Sequence, residues 1–156
     1  GKIRLAASGK VSSGAGIAMN AALGADWCNA ARAFMFSLGC VQSMRCHTDT
    51  CPTGIATQSP ARQRALVIPE KAERVARFQR STLSALHDMV VACGLNSPDE
   101  FTPDSLRQRI SAVEMRSMDE LYSFVEPGEL LDGARDARLA RWWAQADPES
   151  FKRRIT

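Results

Sequence analysis

Residues 3–39 read IRLAASGKVSSGAGIAMNAALGADWCNAARAFMFSLG, and the order of apolar runs and glycine turns in this stretch decides the fold class. Ile3–Ala7 is a short, partly β-branched apolar run that stops at Ser8-Gly9-Lys10, the pattern of a buried strand followed by a turn. Ala15–Leu23 follows Ser12-Ser13-Gly14, is rich in Ala and Met, and reads as a helix stopped by Gly24. Asp26–Ala30 reads as a second short strand, and Arg32–Leu38 as a second helix ended by Gly39. Strand, turn, helix, strand, turn, helix is the rhythm of β/α units with a parallel sheet. Two units cannot close a sheet by themselves, and Gly1 stands where a Met would begin a chain, so a piece of a longer or processed protein is expected.

Downstream the pattern breaks. Residues 40–58 hold Cys40, Cys46, His47, Cys51, Pro52 and Gly54 with little apolar content, a long irregular loop of the kind that usually serves a function. From Pro69 the character is helical: Val75, Phe78, Leu83, Leu86, Val90 and Cys93 recur three or four apart, and Gly94 supplies the stop. Ser97–Glu100 and Ser117–Glu120 carry capping-box spacing, and Thr102-Pro103 places Pro at a first helical position. A last Arg-rich helix carries Leu139, Trp142 and Trp143 and ends at Asp147-Pro148. Trp residues on a helix usually pack inward, so these read as core rather than as exposed anchors. A boundary near residues 58–68 separates an α/β part, 1–58, from a helical part, 59–156.

The 156 residues are 45% hydrophobic and 24% charged, a balance that excludes a disordered chain and bounds it at about one domain. No apolar run is long enough to span a bilayer and no charged leader precedes an apolar segment, so a cytoplasmic location without membrane contact is expected. The +3 net charge sits in residues 1–58, where Lys2, Arg4, Lys10, Arg32 and Arg45 face only Asp26 and Asp49; the remaining fifteen bases and fifteen acids cancel. Such an excess would suit a small anion such as a phosphate, although taken alone it is within ordinary variation, and it is too small, and too poor in interleaved aromatics, for nucleic acid.

Three of the five cysteines fall within twelve positions. Without a secretory context, metal or redox chemistry explains them better than disulfides. Ligands spaced by five and four residues can wrap a body larger than one ion, and Pro52 directly follows the last; both favour an iron–sulfur cluster. Zinc held by the three thiolates and His47 is the rival, weakened because His47 adjoins Cys46 and no CxxC knuckle is present. A loop without metal is the third reading. Cys28 and Cys93 read as small buried hydrophobes. The turns Ser8-Gly9-Lys10 and Asn29-Ala30-Ala31-Arg32 use small residues that let backbone N–H groups approach a phosphate at a helix start. Taken alone, they are ordinary βα turns.

Together these residues resemble a known family. Ala7-Ser8-Gly9-Lys10, Ala21–Asp26, Asn29-Ala30-Ala31-Arg32-Ala33 and above all Cys40–Gln58 (CVQSMRCHTDTCPTGIATQ) look like the FMN-binding domain of glutamate synthase. The resemblance is close over residues 3–58; the helical remainder is similar, less distinctively, to the extension of short single-chain FMN-binding members. It implies the C-terminal portion of a (β/α)8 TIM-type barrel, with Ile3–Ala7 as strand seven and Trp27–Asn29 as strand eight, followed by a mainly helical extension. It implies a [3Fe–4S] cluster on Cys40, Cys46 and Cys51, and an FMN phosphate received by Ser8, Gly9, Lys10, Asn29, Ala30, Ala31 and Arg32. The implied reaction is reduction of 2-iminoglutarate, from 2-oxoglutarate and glutamine-derived ammonia, to glutamate. Electrons would come from ferredoxin or an NADPH-oxidising partner.

The first six strands and any amidotransferase nucleophile have no counterpart here, and a barrel needs roughly 250 residues. The remainder of the barrel is therefore an expected partner, and no catalytic residue is assigned; His47 and His87 are poor candidates. Two other functions compete: a zinc-stapled, non-catalytic binding module whose helical half docks a partner, and a barrel-completing subunit.

Overall fold

The computed structural model describes residues 3–152; Gly1, Lys2 and residues 153–156 lie outside the described residues. Strand β1 (Ala6–Ser8) and strand β2 (Trp27–Asn29) pair in parallel, with Ala6 opposite Trp27, Ala7 opposite Cys28 and Ser8 opposite Asn29. Strand β1 begins three residues later than the apolar run. The Leu5 N–H donates to the Asp26 carboxylate at 2.6 Å and the Leu5 carbonyl accepts from the Asp26 N–H at 2.8 Å. A side chain has taken the place of a ladder partner there, and Ile3 is left 90% exposed. Helix α1 (Gly14–Ala22) starts where Ser13 Oγ accepts from the Gly16 N–H at 3.1 Å. Helix α2 (Ala31–Leu38) stops at Gly39, as its sequence predicts.

After the irregular loop come a single turn, α3 (Pro60–Gln63), and the long helix α4 (Ile68–Ala92) with Pro69 in its first turn. Helix α4 packs on both α1 and α2. Ala18 and Ala22 of α1 meet Leu86 and Val90 of α4 with Phe101 in one buried cluster, and Phe34 of α2 meets Phe78 of α4 edge-on with centroids 5.1 Å apart. The change of character near residues 58–68 is thus a change of secondary structure inside one packed body. Compact units divide instead between Leu106 and Arg107. Gly14 sits so close to α4 that a Cβ there would meet the backbone of Leu86, with Ala85 C at 2.7 Å and Thr82 O at 2.9 Å.

The three later start signals differ in outcome, and the third, Ser117–Glu120, opens a helix in the second unit. Ser97 caps a single 3-10 turn, Pro98–Glu100, whose Glu100 carboxylate accepts from the Asn96 N–H at 3.0 Å. Thr102-Pro103 begins a turn and no helix, with the Thr102 N–H donating to Ser105 Oγ at 3.0 Å and the Thr102 carbonyl accepting from the Ser105 N–H at 3.0 Å.

The second unit opens with a hairpin that the sequence does not advertise. Strand β3 (Arg107–Arg109) pairs antiparallel with β4 (Met115–Ser117). Arg-Gln-Arg lacks an apolar alternation, so nothing marks it as a strand. Short helices α5 (Met118–Leu121), α6 (Glu129–Asp132) and α7 (Ala137–Ala144) follow. Asp136 caps α7 by accepting from the Arg138 N–H at 2.8 Å. The tryptophans depart from expectation: Trp142 is 53% and Trp143 50% exposed, and Trp142 lies under the Arg138 guanidinium, 5.4 Å from its ring centre. Among its described residues this unit buries only Ser117 and Met118, which leaves no core large enough to take both rings.

At the β4–α5 junction the Glu120 carboxylate accepts from the Ser117 N–H at 2.7 Å and from Ser117 Oγ at 2.9 Å. The Ser117 N–H first, and then its hydroxyl, hold the Glu120 carboxyl below its ordinary value of 4.5. A carboxylate depressed on folding stabilises fully above its unfolded pKa and loses that contribution as pH falls through the folded one. Glu120→Gln is expected to flatten the acid-side loss of stability in this unit below pH 4.5, followed by pH-dependent amide exchange at Ser117. An unchanged acid profile would contradict the junction's role. Among the described residues no helix is long and apolar enough to cross a membrane.

Candidate cofactor site

Because β1 and β2 run parallel and in register, Ser8 and Asn29 stand side by side and both following turns leave the same end of the sheet. The first turn needs a left-handed backbone at two successive residues, Gly9 (φ +96°) and Lys10 (φ +57°). Glycine adopts this without strain, whereas Lys10 holds it at a cost. In the second, Ala30 precedes α2 and offers no side-chain oxygen, so the first-turn N–H groups of α2 have no side-chain cap. Those donors, with the helix dipole, suit an anion.

A cavity of about 650 Å³ opens at this end and is lined by Ser8, Gly9, Lys10, Asn29, Ala31 and Arg32, together with Phe36 and Gln42. Six of the seven residues expected at the flavin phosphate therefore share one space. Ala30 does not; it faces a separate cavity of about 150 Å³ with Cys28, Phe34 and Phe78. Burial pushes the Cys28 thiol up, as suits a small packed hydrophobe.

The loop from Cys40 to Ser59 contains no helix or strand, and Gln42, Met44 and Asp49 all take left-handed backbone. Its second half is clamped. The Asp49 carboxylate accepts from the Gln58 N–H, Thr57 Oγ1 donates to the Asp49 carbonyl at 2.7 Å, and Gln63 Nε2 of α3 donates to the Thr57 carbonyl at 2.9 Å. Gly54 (φ +78°) lies against the Arg62 and Gln63 backbone, where only a residue without a Cβ fits. This clamp holds Cys51 6% exposed, with Sγ 3.4 Å from Thr53 Oγ1. The Thr53 hydroxyl first, then the Ala56 N–H, and less strongly the Thr53 and Ile55 N–H groups, pull the Cys51 thiol down to about 7 against the opposing effect of burial.

Cys40 and Cys46 line a cavity of about 270 Å³ with Arg32, Met35, Gln42, Met44 and His47, and Cys51 is not among its lining residues. All five cysteines are free. Among the described residues no group of three His, Cys, Asp or Glu side chains is arranged to hold a metal ion, so neither the three-cysteine set nor the Cys3His set stands assembled as a mononuclear site. The donor chemistry fits a thiolate-bound cluster: three unpaired cysteines in one loop, one already biased toward thiolate by the Thr53 hydroxyl and the N–H groups beside it.

Arg32 and Gln42 line both cavities, so the two spaces share a wall. Sequence reasoning places Arg32 at the phosphate and gives Gln42 no role. Its only signal is its position two residues beyond Cys40. A further cavity of about 380 Å³ in the second unit, lined by Trp142, Gln145 and Phe151 among others, contains none of the expected site residues.

The family described as a conserved region in glutamate synthase matches residues 1–96, running on from the cysteine loop through α4. The glutamate synthase large subunit-like protein YerD of Bacillus subtilis is 39% identical over 80% of this chain and 24% of its own length. The archaeal glutamate synthase [NADPH] of Methanocaldococcus jannaschii is 31% identical over 77% of this chain and 24% of its own. Ferredoxin-dependent glutamate synthase 1 of Arabidopsis thaliana is 30% identical over 78% of this chain and 8% of its own. The chain thus spans about a quarter or less of these relatives. No solved structure matches it.

Proposed function

The chain belongs to the glutamate synthase family, and from that membership we propose that it forms the C-terminal part of an FMN- and [3Fe–4S]-dependent synthase domain. In this reading β1 and β2 are strands seven and eight of a (β/α)8 barrel whose other strands lie on the remainder of the protein. The single observation that carries the reading is the shared wall: the cavity at the two βα turns and the cavity at Cys40 and Cys46 meet at Arg32 and Gln42. The phosphate position also agrees with the habit of such barrels of binding phosphate at the loops after strands seven and eight.

The chain's own residues have definite tasks. Lys10, Arg32 and the uncapped N–H groups of α2 hold the FMN phosphate, with Ser8 and Asn29 fixing the two turns side by side. Cys40, Cys46 and Cys51 hold the cluster, and the Asp49–Thr57 clamp keeps Cys51 in its N–H cradle. When bound, the cluster supplies single electrons and FMN stores two for hydride delivery. The whole protein, acting in the cytoplasm, would reduce 2-iminoglutarate formed from 2-oxoglutarate and glutamine-derived ammonia to glutamate. Its electrons would come from ferredoxin or an NADPH-oxidising partner. The groups that bind the 2-oxo acid belong to the rest of the barrel.

Gly9→Val in the complete protein tests the turn. No atom stands within 4 Å of a Cβ at Gly9, so the effect comes from backbone strain at φ +96° and not from bulk. A β-branched residue held in that region costs about 1–2 kcal/mol, equivalent to roughly tenfold weaker FMN binding if the bound turn must retain it. Fluorescence titration with FMN measures this; equal affinity would remove the turn from the phosphate site.

A further inference from the structure

Among the described residues, Arg32 is the cationic side chain that lines both cavities: Lys10 faces only the turn cavity and His47 only the cysteine cavity. Arg32 stands in the first turn of α2, is exposed, and makes no ion pair with any described carboxylate. Its charge is therefore not committed to holding this segment together. Gln42, the other shared residue, is neutral.

Resting on the functional reading above, we propose that Arg32 is a positioning residue that serves both cofactors at once and sets the potential of the cluster. A guanidinium carries five donors in a rigid plane, so one side chain can meet phosphate oxygens on one side and thiolate sulfurs on the other. Reduction of the cluster takes one electron from the external donor, which is oxidised by one electron, and leaves one more negative charge between the cysteines. A fixed cation in the wall stabilises that charge and raises the reduction potential, since net charge and hydrogen bonds to sulfur set the potentials of such clusters. The same cation strengthens FMN binding through the phosphate. An exposed arginine with no such role would give neither effect.

The test uses the full-length holoprotein purified without oxygen, with potentiometric titration of the cluster followed by EPR and equilibrium binding of FMN. Arg32→Gln is expected to lower the equilibrium constant for electron uptake about tenfold, which is about 59 mV for a one-electron couple, and to weaken FMN binding several-fold. Iron and labile sulfide should stay at wild-type levels. Arg32→Lys, which keeps the charge but not the planar fork, is expected to hold the cluster potential near wild type and to lose only part of the FMN affinity. Should Arg32→Gln assemble no cluster, assembly at wild-type potential in Arg32→Lys supports the charge role equally. Arg32→Gln with full iron and FMN and unchanged potential and affinity overturns the proposal, as does a lysine variant shifted as far as the glutamine one. Wild-type protein without iron and FMN sinks the functional reading itself, a result distinct from either.

Discussion

Gly14→Ala is expected to destabilise the first unit by about 1–2 kcal/mol net, although it replaces a helical glycine with the best helix former. Alanine in a helix normally gains roughly 1 kcal/mol over glycine. Here the added methyl meets main-chain atoms of α4 at Thr82, Ala85 and Leu86. Those atoms lie inside a 25-residue helix and cannot rotate aside as a side chain would. Overpacking of this kind costs about 1–3 kcal/mol and occasionally more, and the helices must separate to relieve it. Separation also opens the cluster of Ala18, Ala22, Leu86, Val90 and Phe101. Gly16→Ala is the matched control two residues along the same helix, where the nearest atom is Ser13 Oγ at 3.6 Å. It should be neutral or stabilising by a few tenths of a kcal/mol to about 1 kcal/mol. Urea unfolding of the two variants separates packing from propensity; equal stabilities would mean that α1 does not approach α4 so closely.

Cys46→Ser is expected to abolish iron and labile sulfide while leaving the helical core at wild-type stability, within about 0.5 kcal/mol. Cys46 is exposed and lines the cysteine cavity, with no thiol hydrogen bond holding the fold. A serine oxygen is a hard, weakly acidic replacement for a soft thiolate, so ligation fails while shape is kept. Cys51→Ser should cost the fold more, because that side chain is buried under the clamp and bonded to Thr53. Iron measured against the unfolding midpoint distinguishes the two. Full iron content in Cys46→Ser would remove it from the ligand set.

Much of this site was legible because its chemistry follows residue identity. Ser8-Gly9-Lys10 and Asn29–Arg32 announced two turns through small residues after short apolar runs, and the parallel register brought them to one cavity. The cysteine spacing marked the loop. It could not show how the segment around Cys51 is clamped, since that depends on Asp49 reaching nine residues ahead to the Gln58 N–H. Gln42 was invisible for a similar reason: its residue type marks nothing, and only the folded loop places it in the wall of both cavities.

In the fold, the long periodic helix α4 was readable to within two residues at each end, as its apolar stripe is continuous. The hairpin of Arg107–Arg109 with Met115–Ser117 was not, because backbone pairing stabilises it without an apolar face. Trp142 and Trp143 show the limit of composition: a ring packs inward only where neighbouring elements supply a core, and α7 has little beside it. Gly14 follows Ser12-Ser13 in what reads as a turn, yet its value lies in a contact with a helix some seventy residues away, which no local pattern records.

The central claim, that this segment carries the cluster ligands and the phosphate turns of a glutamate synthase-like enzyme, is tested most directly by composition. The natural full-length protein, purified without oxygen, should contain about three irons with matching labile sulfide and about one FMN per chain. Zinc in stoichiometric amount, without sulfide or flavin, would contradict it and assign the cysteine loop to a zinc-stapled module.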